Sequence, residues 1–365
     1  MIASQKISGT QIATLLFIFL VITALMITSE ITADKAGESA WISIVLSMIV
    51  GLIELGIIYN LGMRFPRKTL SQYSEILLGK TLGKILSFAY VVFFMALSIF
   101  VSRLFTSFIT VNLMPETPTI VFYFFLTLMG AYAVSKEIEV IARMAQFILP
   151  IAVFALSFLV IFPILNADFS QLLPLFDKGV SAVLRGSLVP SVFFGEIIIL
   201  VFLMPLVNKP QEVLKKGCYS IVAAGLFITL ITAITVAVFG PEQTRSLAYP
   251  FLHLAKAIKI LGIQRLEYFV IFIWVSGLVV KIAVLYYVEC FALVKLFSLR
   301  DKRIVILIVG IMQVFLPNYL FKTPFQVAPF INIFWPPVAF LFELVIPLGL
   351  LFLAIIKRKK VRRLD

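Results

Sequence analysis

Ten long apolar stretches alternate with short polar ones along the chain. Each reaches about the 20 residues that a helix needs to cross a bilayer core. The pattern predicts transmembrane helices over residues 12–29, 41–63, 85–113, 119–134, 143–165, 186–207, 217–239, 266–296, 304–321 and 331–356. Between the second and third, 70–82 reads as a short amphipathic helix lying along the interface. A second short helix is expected around 250–260, inside the polar segment 240–264. Glu30, Asp34, Lys35 and Glu38 read as an acidic loop after the first span.

Charge sets the direction of the spans. Arg64, Arg67, Lys68, Lys80 and Lys84 form one basic connection; Lys209, Lys215 and Lys216 another; Arg300, Lys302 and Arg303 a third. With the basic run at 357–363, most Lys and Arg fall on one side, which the positive-inside rule makes cytoplasmic. Both termini then lie there. Residues 1–165 hold five spans, 186–356 hold five more, and 357–365 form a basic tail. The first and sixth spans enter from opposite sides, the pattern of an inverted repeat whose interrupted helices meet at the bilayer midplane.

Composition narrows the function. Of 365 residues 62% are hydrophobic and the mean hydropathy is +1.11, far above a soluble domain at about 45–50% apolar. The partner implied is the lipid bilayer, and no separate soluble domain fits. The net charge of +13 is explained by topology rather than by a nucleic-acid partner. Cys218 and Cys290, read at cytoplasmic span ends, suggest neither a disulfide framework nor a metal site. His253 is the single histidine and is placed in an external loop, so no Ser-His-Asp triad forms around it. Nothing resembles a nucleophile–base pair; an enzyme is not expected, nor a cofactor. The first apolar segment lacks a small-residue cleavage site and reads as a retained helix.

Candidate chemistry concentrates in the sixth span. Pro190, Phe194, Gly195 and Glu196 stand mid-span. Proline removes a hydrogen-bond donor and glycine loosens the backbone, so a break in the helix is expected there. A charge at this depth costs about 2.5–3.5 kcal/mol on insertion scales and marks function by default. Glu196 is read as a ligand-contacting or protonatable group, or as a carboxylate holding the break. Lys281, with Gly277 one turn earlier, is the mid-span cation of the eighth helix. Arg103, toward the outer third of the third span, reads as a gate or as a snorkelling side chain. Glu54 and Glu343 require partners or protonation. Phe93 and Leu97 read as apolar lining of a site or as ordinary core.

Lys6-Ile7-Ser8 with Gln11, Arg103 with Leu113 and Thr117-Pro118, Phe194-Gly195-Glu196 with Pro205, and Arg265 and Glu267 with Trp274 resemble, in order and spacing, the spore-germination permeases. These are B subunits of endospore germinant receptors, within the amino acid–polyamine–organocation transporter superfamily. The resemblance implies an all-α, leucine-transporter-like 5+5 inverted repeat with broken first and sixth helices. It implies a small-molecule germinant bound between the first, third, sixth and eighth helices, with Thr23, Ala24, Leu25, Phe93, Leu97, Phe194, Gly195, Glu196, Gly277 and Lys281 around it. An A subunit and a lipoprotein C subunit would be partners, in the spore inner membrane. Sodium-coupled relatives hold sodium between the first and eighth helices; Lys281 would supply that charge permanently, or simply pair with Glu196 or Glu54 as packing. The family's first-helix glycines are replaced here by Ile22-Thr23-Ala24-Leu25-Met26, which disfavours an α-carboxylate ligand. A proton-coupled transporter of amino acids or similar solutes is the alternative reading.

The topology is directly testable. A cysteine added at the C-terminus is expected to react with an impermeant thiol reagent only after permeabilisation. Labelling in sealed, correctly oriented membranes would overturn the assignment.

Overall fold

In the computed structural model residues 6–257, 267–323 and 326–357 are described. The described chain is almost wholly helical, with one isolated β-bridge. Helices α1 (Gly9–Ala36) and α2 (Ala40–Arg64) are joined by the 3₁₀ turn Gly37–Ser39, where Gly37 takes φ +57°. The short α3 (Leu70–Leu78) precedes α4 (Lys80–Asn112), α5 (Thr119–Ser135) and α6 (Glu137–Ile161). The sixth span comprises α7 (Val180–Gly195), a 3₁₀ turn over Glu196–Ile199, α8 (Leu200–Leu203) and a further 3₁₀ turn over Met204–Leu206. Then come α9 (Val213–Ser246), α10 (Pro250–Ala257), α11 (Glu267–Phe297) and α12 (Lys302–Leu320). The last span strings α13 (Val327–Pro329), α14 (Trp335–Phe340) and α15 (Ile346–Ile356) together through π-helical turns at Phe330–Phe334 and Leu341–Val345.

Eight described stretches are long and apolar enough to cross a membrane. The first, Gly9–Arg64, contains both α1 and α2, and α5 adds a shorter apolar helix of 17 residues. The chain is a multi-pass membrane protein whose spans agree with the expected ten.

Two expectations are corrected. The acidic stretch after the first span is not a loop: α1 continues through Glu30, Asp34 and Lys35 to Ala36. Nor is the first helix broken. Between Gly9 and Ala36 there is no glycine or proline, so every residue can keep its place in the hydrogen-bond ladder. The elements around 143 and 217 also begin earlier than hydropathy suggests, because their first turns are polar but helical. Of the expected helix at 250–260, Pro250–Ala257 is seen and the rest lies outside the described residues, as do Arg265 and the basic run after Lys357.

The inner layer is α1 and the sixth span, wrapped by α2, α6, α9 and α11, with Tyr90 and Phe94 of α4 reaching it at Phe202. The start of α1 is fastened to the end of the sixth span by a parallel bridge: Ile7 N–H donates to Leu206 O and Asn208 N–H to Ile7 O, both at 2.9 Å. The two helices therefore run in opposite directions. Serines let helices approach and bond across the apolar interior. Ser43 Oγ donates to Val183 O (3.0 Å) and Ser47 Oγ to Ser187 O (2.9 Å), fixing α2 on α7. Ser220 Oγ donates to Ala13 O (2.8 Å), fixing α9 on α1.

Gly83 on α4 sets the position of α3. A methyl group there would stand 2.5 Å from the backbone nitrogen of Glu75 and 2.7 Å from the carbonyl carbon of Ser74. Gly56 on α2 has nothing within 4 Å of such a methyl. Gly83→Ala should lower the melting temperature of the purified protein, as overpacking costs about 1–3 kcal/mol. Gly56→Ala should be neutral or slightly stabilising. Equal effects would refute the packing account.

Candidate functional site

Two interruptions of helical geometry face each other in the membrane interior. In the sixth span Pro190 lies inside α7, which ends at Gly195, and the turn tightens to 3₁₀ at Glu196. Gly195 (φ −66°, ψ −18°) and Glu196 (φ −56°, ψ −11°) stay right-handed. The expected break is thus a tightened turn rather than an unwound one. Opposite it, the last span loosens to a π turn at Leu341–Val345, which carries Glu343. Single π turns are frequent at functional positions.

Lys281 is the centre of the polar cluster. Its side chain is fully buried on α11. The ammonium donates to Phe19 O (3.0 Å) and Thr23 Oγ1 (2.6 Å) on α1 and forms a close ion pair with Glu196 Oε2. It also lies 4.5 Å from the centre of the Phe19 ring, a cation–π contact. An ammonium has three N–H donors, and here each has an acceptor. Of the two partners left open by the sequence, Glu196 is the one found. A fixed positive charge thus ties α1, the sixth span and α11 together.

Glu54 on α2 and Glu343 meet on the other side of Gly195. A methyl built on Gly195 would lie 2.9 Å from Glu54 Oε2 and 2.9 Å from Glu343 Cδ. Both residues are buried, and neither carboxyl has a hydrogen-bond partner among the described residues. Glu196, Lys281, Glu54 and Glu343 therefore form one buried group.

The other expected site residues divide. Thr23 is in the cluster. Ala24 is buried on α1, its carbonyl accepting from Thr28 Oγ1 at 2.6 Å. Leu25 lines a small apolar void with Ile22, Trp274 and Gly277. Gly277 gives Ile22 its room: a methyl there would stand 2.6 Å from Ile22 Cγ1. Phe194 packs on Gly51 of α2. Leu97 is buried on α4, while Phe93 turns to the last span and stacks on Phe342 and Trp335, centroids 4.8 and 5.3 Å away. Arg103 does not snorkel: it is 3% exposed, with Nη1 donating to Tyr123 Oη (3.2 Å) and Asn318 Oδ1 (3.4 Å).

Phe19, Tyr90, Trp335 and Phe342 were not identified from sequence. Tyr90 Oη donates to Phe342 O (2.8 Å), just before Glu343. The signal that would have found Phe19 is its place four residues before Thr23, one turn along the same helix. Beyond the cluster, a cavity of about 140 Å³ is lined by Glu30 and Ile31 of α1, Leu104, Tyr249, Ile331 and Asn332. A larger groove of about 520 Å³ between α5, α11 and α12 is mostly apolar, with Arg303 in its lining, and takes in none of the charged residues of the cluster.

A family model described as spore germination protein matches residues 6–323. The chain belongs to that family. Spore germination protein KB of Bacillus subtilis is 25% identical over 362 residues, covering 97% of this chain and 96% of that one. Spore germination protein YndE of the same organism is 24% identical over 299 residues, covering 81% and 82%. Among solved structures, MhsT in complex with L-phenylalanine has a TM-score of 0.69 at 15% identity, covering 95% of this chain and 88% of that one. A substrate-bound Na⁺-coupled sialic acid symporter has a TM-score of 0.68 at 12% identity, covering 93% and 78%. The fold is that of leucine-transporter-like solute transporters. The relatives are germination proteins and the structural neighbours transporters; neither group is made of enzymes.

Removing one member of a buried ion pair strands the other, at about 3–5 kcal/mol. Lys281→Met should therefore lower thermal stability strongly. Lys281→Met combined with Glu196→Gln should recover part of the loss, because no charge is left unpaired. A single substitution as stable as the wild type would show that the pair does not hold the three helices.

Proposed function

We propose that this chain is the membrane-embedded B-type subunit of a germinant receptor, and that a small nutrient binds near the midplane where α1, α4, the sixth span and α11 meet. One observation carries the reading: the Lys281 ammonium is bonded to α1 and Glu196 at that junction. In the symporter of similar fold the coupling ion is Na⁺. Here a covalently attached cation supplies positive charge between α1 and α11, so no sodium need be bound there. Thr23, Ala24, Leu25, Phe93, Leu97, Phe194, Gly195, Glu196, Gly277 and Lys281 are the residues proposed around the ligand. The cavity beside Glu30, Tyr249 and Asn332 starts at Ile27, one turn of α1 beyond Thr23.

The ligand class follows from charge. Glu196 already occupies the start of the 3₁₀ turn, and α1 presents Ile22, Ala24 and Leu25 rather than bare backbone. A second carboxylate would be repelled by Glu196. A neutral nutrient, or one offering a hydroxyl or amine, fits better. Partners would be an A subunit and a lipoprotein C subunit, in the spore inner membrane. Relatives named spore germination protein A2 and B2 support a receptor assembly. The transporter reading shares the same site, and solute uptake into proteoliposomes compared with binding separates the two.

Thermal-shift screening against amino acids, sugars and nucleosides should identify the ligand by stabilisation of the folded protein. Binding should persist when sodium is replaced by choline; a sodium requirement would rule out the fixed-cation reading. Glu196→Gln keeps the shape and an acceptor for Lys281 while removing the charge. It should shift the nutrient response about tenfold or more, the loss of one charge-assisted hydrogen bond. An unchanged response would make Glu196 structural only.

A further inference from the structure

We infer that Glu54 and Glu343 form a proton-binding site: a carboxyl pair that shares one proton behind Gly195, between α2 and the π turn of the last span. The inference does not depend on which nutrient the receptor takes.

Charge balance is the first support. Glu54, Glu196, Glu343 and Lys281 are each at most 1% exposed, and one ammonium faces three carboxyls. The ammonium is committed to Glu196 and to two acceptors on α1. It has no N–H left for Glu54 or Glu343. Two carboxylates side by side in a low-dielectric interior cannot both be ionised, as like charges disfavour the second ionisation. A proton on one carboxyl removes the charge and supplies an O–H donor for the other, making a short charge-assisted bond.

Geometry is the second support. Both carboxyls approach the same face of Gly195, where a methyl would collide with Glu54 Oε2 and with the Glu343 carboxyl. Glycine at this position is what lets the two acids meet. Gly195 is also the last residue of α7, beside the change to 3₁₀. The proton therefore sits between two irregular turns, one tightened and one loosened. Releasing it sets two negative charges against each other across the joint of α2, the sixth span and the last span.

The neighbouring titratable groups are few. Glu196 and Lys281 act on Glu343 electrostatically, and the Tyr90 phenol of α4 lies close by, with Tyr73 of α3 behind it. On α9, which packs on α2 where Gly217 meets Leu55, Lys216, Cys218 and Tyr219 flank that contact. The titratable residues of α1 and α7 lie at the opposite end of those helices, and the described part of α14 and α15 has none. Glu289, further along α11, is engaged with Gln313 at 3.0 Å instead.

Infrared spectroscopy of the purified full chain in lipid nanodiscs tests this. The wild type at neutral pH should show a protonated-carboxyl C=O stretch that disappears in alkaline buffer. The band should weaken in Glu54→Gln and in Glu343→Gln, the remainder coming from the buried Glu289 carboxyl. Absence of the band in the wild type would overturn the proposal, and so would its persistence at full intensity in both variants. Thermal melting gives a second readout. The folded pair binds a proton that the exposed carboxyls of the unfolded chain have released at neutral pH, so wild-type stability should fall as pH rises. The Glu54→Gln/Glu343→Gln protein should lose that component of the pH slope. An unaltered slope would count against the pair. Stabilisation by sodium over choline, with no protonated-carboxyl band, would instead mark a cation site and refute the shared proton. The wild-type arms of both measurements stand even if a variant fails to accumulate.

Discussion

A buried ion pair in hydrocarbon organises the centre of this molecule. Neither Lys281 nor Glu196 can reach water, and each would be strongly destabilising alone. Their mutual contact is therefore obligatory, and it constrains three helices at once. The Phe19 carbonyl and the Thr23 hydroxyl bring α1 to the ammonium. The sixth span must change its pitch where the carboxylate is presented. The small residues around the pair follow from the same demand: Gly277 admits Ile22 and Gly195 admits two more acids. The geometry of a transporter is retained, while its centre is held by groups that cannot dissociate from the protein.

Much of the architecture could be read from hydropathy and charge. Ten apolar stretches and their basic connections are long-range, redundant signals, and the helices match them within about two turns at each end. The helix ends were harder, because a polar first turn is still helical when tertiary contacts hold it, as at Glu137, which pairs with Lys302, and at Val213, which is buried. The acidic end of α1 shows this most clearly. Its carboxylates look like a loop in a hydropathy profile, yet the residues propagate the helix without a breaker.

The site was legible in its charged members and not in its apolar ones. An acid or lysine inside a span is rare enough to point to itself, so Glu54, Glu196, Lys281, Arg103 and Glu343 all stood out. What sequence could not supply was the pairing. Glu196 and Glu54 were both reasonable partners for Lys281, and only the packing of α2 against Gly195 separates Glu54 from Glu196. Aromatic residues such as Phe19 and Phe342 carried no signal, because 36 phenylalanines in a membrane protein are indistinguishable until their rings are seen to pack.

The backbone bridge between Ile7 and the end of the sixth span joins two helices that begin and end on the same face. Its two hydrogen bonds use only peptide groups. Such a latch is blind to side chains: substitutions at Ile7 or Asn208 leave its donors and acceptors in place unless proline removes one. It is also digital, since the ends of α1 and the sixth span cannot separate by small increments without losing both bonds. Any opening toward that face must then break both bonds together, and substitutions in the polar cluster leave the chemistry of this catch unaltered.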